Sequence, residues 1–178
     1  FVLPSLAHAL VATGRRTEAE AMLETLMAHE REHYVSSYKI AVLLAALGRT
    51  PAGDRIVTVS ADVAITTHLA GWINRKGIYA RTARPNPFAD IPQAMQWRES
   101  PAGQHIELGI SEMDLFMWLS QFGLTAELFG EPLVPLGTVY DPFIARGLDA
   151  LIHALYIGSR FILVATPSGV TLAPEGGA

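Results

Sequence analysis

Three short stretches bring together side chains that could do chemistry. In His29-Glu30-Arg31-Glu32-His33 the spacing would put two imidazoles on one helix face with a carboxylate between them, the pattern of a zinc hydrolase. Its two middle positions, Arg31 and Glu32, are both charged where zinc-site helices keep apolar residues, and the next glutamate is far away at Glu99. A polar, solvated helix end that holds no zinc is expected, and no other metal ligands stand out. The second stretch, Gly109-Ile110-Ser111-Glu112, places Glu112 in the first turn of a helix just beyond a strand. An acid there is favoured by the helix dipole whatever else it does. It is also where open α/β sheets set their ligand sites. Ile110, Met113, Leu115 and Phe116 are close in sequence, which predicts an apolar pocket suited to a proton-transferring carboxyl group. The third, Tyr140-Asp141-Pro142-Phe143, sets two aromatic rings beyond another strand, where they could sandwich a flat heterocycle or simply fill core.

These residues need elements to hold them. Residues 1–49 read as helical throughout: Leu3, Leu6, Ala7 and Leu10 keep helical spacing up to Gly14, and Thr17 with Glu20 forms a capping box for a second helix. A third helix is expected from about 36 to 47, stopped by Gly48. Leu10 to Arg15 recurs as Leu44 to Arg49, the period of tetratricopeptide repeats, but Pro51 and Gly53 interrupt the array. A non-catalytic repeat scaffold and a plain helical hairpin packed on the next domain both fit this segment. From residue 50 the texture changes to alternating strands and helices. Strands are expected near 55–59, 105–108, 133–139 and 160–165, with a helix from about Asp62 to Arg75 and a long proline-rich loop over 81–103. Ser111 should cap a helix carrying Leu115, Phe116 and Leu119, and Asp141-Pro142 should cap another running to Tyr156. Strand and helix in alternation predict an α/β fold, a parallel sheet covered on both faces, preceded by an α-helical segment. Glu112 and Tyr140 should then lie at the carboxyl edge of the sheet, on the same side of it.

Bulk composition narrows the function classes. Half of the 178 residues are hydrophobic and 17% are charged, ample for a core. A net charge of −4 supplies no positive field for nucleic acid or anionic lipid. The absence of cysteine excludes thiolate chemistry and disulfides and fits the reducing cytoplasm. The start at Phe1 and the stop at Ala178 read as those of an excised piece.

Gly109-Ile110-Ser111-Glu112 resembles the Gly-Ile/Val-x-Glu segment of the transketolase-like, thiamine-diphosphate-dependent enzymes, among them the homodimeric pyruvate dehydrogenase E1 chains. Arg55-Ile56-Val57 through Ser60-Ala61-Asp62 is similar to the opening strand and acidic turn of their pyrimidine-binding domain, and Gly77-Ile78-Tyr79 to a segment that follows in E1. Pro135 to Phe143 resembles an E1 strand and its pocket aromatics, and Thr166 to Gly176 the E1 run leading to an active-site histidine that would lie beyond Ala178. The resemblance covers 50–178 and implies a C-terminally truncated pyrimidine domain. It implies Glu112 as the catalytic carboxyl group on N1′ of the cofactor ring, with Tyr140, Phe143 and Asp62 also binding the cofactor. It further implies Mg²⁺ and diphosphate held by another domain, a homodimer, a 2-oxo acid substrate and a lipoyl-bearing E2 partner. One departure is Val63, where E1 chains carry an acid; it is closer to transketolases and leaves a sugar-phosphate two-carbon transfer as the alternative.

Overall fold

The computed structural model describes residues 37–86 and 89–166; the helices expected before residue 37, the 29–33 histidine pair and the stretch 167–178 lie outside them. Six strands form one parallel sheet: β1 Ile56–Ser60, β2 Ile78–Tyr79, β3 Glu99–Ser100, β4 His105–Glu107, β5 Val134–Tyr140 and β6 Ile162–Thr166. Their order across the sheet is β3-β2-β4-β1-β5-β6. Five α-helices are described: α1 Ser37–Leu47, α2 Ala70–Lys76, α3 Glu112–Phe122, α4 Thr125–Phe129 and α5 Leu148–Tyr156.

Side-chain alternation sorts the core into two layers. Ile56, Leu136 and Val164 pack with Leu43, Leu44 and Leu47 of α1 and with Leu69, Trp72 and Ile73. Val59, Val139 and Leu163 face the other way, onto Leu115, Phe116 and Leu119 of α3. Right-handed crossovers explain the division. The connection from β1 runs one way along the sheet to β2, and that from β4 runs the other way to β5, so their helices cover opposite faces. Helix α1 therefore belongs to the core of the sheet, and two-sided burial accounts for the long apolar runs in β5 and β6. No helix among the described residues is long and apolar enough to cross a membrane.

Three local expectations need correction. The helix expected from Asp62 to Arg75 is regular only from Ala70, because Asp62 and His68 adopt left-handed backbone at φ 61° and 65°. Thr67 shows why: its hydroxyl donates to Val63 O at 2.8 Å and can accept that of Thr138 at 3.0 Å, tying the segment to β5 in place of continuing a helix. The loop over 81–103 carries β3, and β2 lies just before it, both too short to announce themselves by periodicity. Asp141 is not the cap. The cap position of the helix that runs to Tyr156 falls on Gly147, and Asp141–Gly147 form a tight 3-10 segment before α5 begins.

Candidate functional site at the carboxyl edge

The connections from the neighbouring strands β1 and β5 leave in opposite directions along the sheet, which opens a crevice at their carboxyl ends. Four of the residues singled out from sequence border it. Asp62 follows β1, Tyr140 ends β5, Phe143 stands in the 3-10 segment, and Glu112 opens α3 after β4.

Glu112 gets there by a sharp turn. Gly109, at φ +67° with open space where a side chain would stand, swings the chain out of β4. Ser111 then caps α3, its hydroxyl accepting the Asp114 N–H at 3.4 Å and donating to Asp114 Oδ2 at 2.8 Å. The side chain of Glu112 is only 5% exposed. The wholly apolar pocket expected around it is not what the structure builds. Ile110 and Met113 turn to solvent, Leu115 and Phe116 pack below, and Arg146 brings a guanidinium to 3.5 Å from Glu112 Oε1. A buried carboxylate next to a cation is less costly than one among hydrocarbon alone.

Arg146 also links the carboxylate to the aromatics. Its guanidinium lies 3.8 Å from the centroid of the Phe143 ring, a cation–π distance. Phe143 and Tyr140 have centroids 5.9 Å apart with planes inclined at 45°, so they form one tilted pair and not two walls with a slot between them. Tyr140 Oη donates to Thr66 Oγ1 at 2.6 Å and bridges the crevice from β5 to the segment after β1. Tyr140 and Glu112 both stand at the carboxyl edge of the sheet, as expected of that edge. Tyr140 ends β5 against Phe143, which packs in the layer of α3, the helix that Glu112 opens. The two meet over the carboxyl edge, through Phe143 and Arg146. Asp62 is exposed, and its backbone N–H donates to Glu107 Oε1 at 2.8 Å.

Sequence reasoning missed Arg146, Thr66, His105 and Glu107. A cation three residues past Phe143 in a tight turn was one available signal. Another was the alternation His105-Ile106-Glu107, which puts two polar groups on one face of a strand. Neither points to a site until the strand order is known.

Gly147 makes the Arg146–Glu112 pairing possible. A Cβ there would stand 2.6 Å from the carbonyl oxygen of Glu112 and 2.4 Å from the Phe116 ring, so only glycine lets the 3-10 segment close onto α3. Gly147→Ala is expected to cost about 1–3 kcal/mol, the range for overpacking against groups that cannot yield. Denaturant midpoints of the two proteins measure this, and equal midpoints would show that the two segments are not held so closely.

The chain is therefore a parallel α/β protein with a buried carboxylate, a cation and an aromatic pair at the switch point of its sheet. No family model matches it. Over 126 residues, 70% of the chain, it is 30% identical to the pyruvate dehydrogenase E1 component of Mycolicibacterium smegmatis and 29% identical to that of Mycobacterium tuberculosis. It is 28% identical over 127 residues to the pyruvate dehydrogenase E1 component of Pseudomonas aeruginosa. In each case the matched stretch spans 14% of the length of the relative.

Proposed function

We propose that the chain supplies the aminopyrimidine subsite of a thiamine-diphosphate-dependent 2-oxo acid dehydrogenase E1, with pyruvate as the oxo acid. The observation that carries this reading is Glu112: a buried carboxylate at the carboxyl edge whose cation stands at 3.5 Å. Charge-assisted hydrogen bonds are nearer ~2.8 Å, so the carboxylate keeps lone pairs that could accept the N–H of a protonated ring nitrogen. The residues present fit such a ring: a buried carboxyl group that could transfer a proton, linked through Arg146 to a tilted aromatic pair. Glu112 would hold a proton shared with N1′, Phe143 and Tyr140 would pack against the ring, and Asp62 would border it from β1. When bound, the cofactor supplies the electron sink for carbon–carbon cleavage, and the protein's part is orientation and electrostatics. Diphosphate and Mg²⁺ are assigned to a domain outside this chain, and the acyl product to a lipoyl-bearing E2.

A homodimer belongs to the same proposal. Met113 and Met117 of α3 and Leu148, Ile152 and Tyr156 of α5 are all exposed, an apolar surface that a second copy would cover. Val63 after Asp62 favours the second enzyme reading, two-carbon transfer between sugar phosphates. Titrating the intact protein with thiamine diphosphate and Mg²⁺, then assaying pyruvate against sugar phosphates, tests both. Saturable binding weakened by Phe143→Ala supports the subsite, and turnover then names the substrate. No binding by the intact protein would overturn the reading.

A further inference from the structure

Glu107 has no part in the proposed chemistry, yet it connects the buried sheet to the edge of the crevice. Its carboxylate, 11% exposed, bonds in two directions. Oε1 accepts the backbone N–H of Asp62 at 2.8 Å, and Oε2 lies 3.3 Å from Nε2 of His105. His105 is fully buried, and its Nδ1 stands 2.8 Å from Thr58 Oγ1, its register partner on β1. Both ring nitrogens are thus engaged, and a threonine hydroxyl donating to Nδ1 leaves Nε2–H to donate to Glu107. The far end of this chain of bonds is a left-handed turn. Asp62 sits at φ 61°, left-handed backbone that aspartate adopts more readily than most residues but that still costs more than the right-handed form, so a bond to its N–H helps to hold it.

We propose that Glu107 is a positioning residue: braced by His105, its carboxylate holds the turn at Asp62 in the shape the crevice requires. The turn leads directly into Thr66, whose hydroxyl receives that of Tyr140, so the clamp bears on both sides of the crevice. The consequence for ligand binding rests on the function proposed above; the clamp itself does not.

Amide hydrogen exchange in the protein reads the clamp without any ligand. In Glu107→Ala, exchange at the Asp62 amide should rise about 10–100-fold, the loss of a hydrogen bond to a charged group, while the Val59 amide in the middle of β1 changes far less. Glu107→Gln should restore most of the protection, because its amide oxygen can still accept from Asp62 and its N–H₂ can donate to the other His105 tautomer. Thiamine diphosphate should bind about tenfold more weakly to Glu107→Ala than to wild type in the intact protein, and close to normally to Glu107→Gln. Parallel rises at Asp62 and Val59 would mean general destabilisation and would overturn the proposal. So would unchanged affinity in a protein whose wild type binds the cofactor. If the wild type binds none, the functional reading fails, and the exchange data alone decide whether Glu107 holds the turn.

Discussion

Glu112→Gln in the intact enzyme is expected to lose roughly 10²–10⁴-fold in turnover while keeping much of its cofactor affinity. Proton transfer by a positioned carboxyl group is typically worth that factor, about 3–5 kcal/mol of barrier at ~1.4 kcal/mol per tenfold. Glutamine can still bond to a ring nitrogen but cannot deliver a carboxylic proton. Binding should survive because diphosphate and metal contacts, assigned to another domain, still anchor the molecule. The stability term is smaller. Arg146, 42% exposed, keeps the Phe143 ring and solvent after the charge opposite it is removed, so the cost should be ~1 kcal/mol or less. An ordinary first-turn acid predicts the reverse, with near-normal turnover and only a small stability change. Turnover, cofactor affinity and melting temperature on this one variant separate the two, and near-normal turnover at saturating cofactor would remove Glu112 from the chemistry.

The largest stability effect is expected at Trp72. Its side chain is fully buried in the layer shared by α1, α2 and the sheet, close enough to Gly48 that a Cβ there would touch the indole at 3.3 Å. Trp72→Ala should cost about 3–5 kcal/mol, lost transfer energy plus a cavity that α1 and α2 cannot collapse into. For a chain of this size that lowers the melting temperature by roughly 6–20 °C. Trp72→Phe should cost much less. The indole Nε1 is buried without a hydrogen-bond partner among the described residues, so the exchange removes that donor along with part of the volume. Calorimetry of the two variants checks the order. A loss below 1 kcal/mol for Trp72→Ala would contradict the packing of α1 against the sheet.

Much of the frame was legible before any coordinates. The four expected strands lie within about two residues of β1, β4, β5 and β6, because runs such as Leu133 to Val139 are bounded by prolines and glycines and are too short for helices. Ser111 caps α3 as expected, since a serine before an apolar 3.6-residue period has few other uses. The segment after β1 misled because its apolar spacing is helical, whereas Thr67 finds a partner in Thr138, 71 residues away. A bond over that distance leaves no mark on local pattern.

Amino-acid order by itself determined the α/β class, the sites of strand endings and the residue types waiting at each of them. Those properties come from local spacing, capping and side-chain volume, which act within a few residues. Only the tertiary structure decided which endings meet. The order β3-β2-β4-β1-β5-β6 put the endings of β1 and β5 side by side, and the closure permitted by Gly147 set Arg146 against Glu112. It likewise gave Glu107 its hold on Asp62 from 45 residues away. Such pairings depend on crossover handedness and close backbone approach, both properties of the packed chain as a whole.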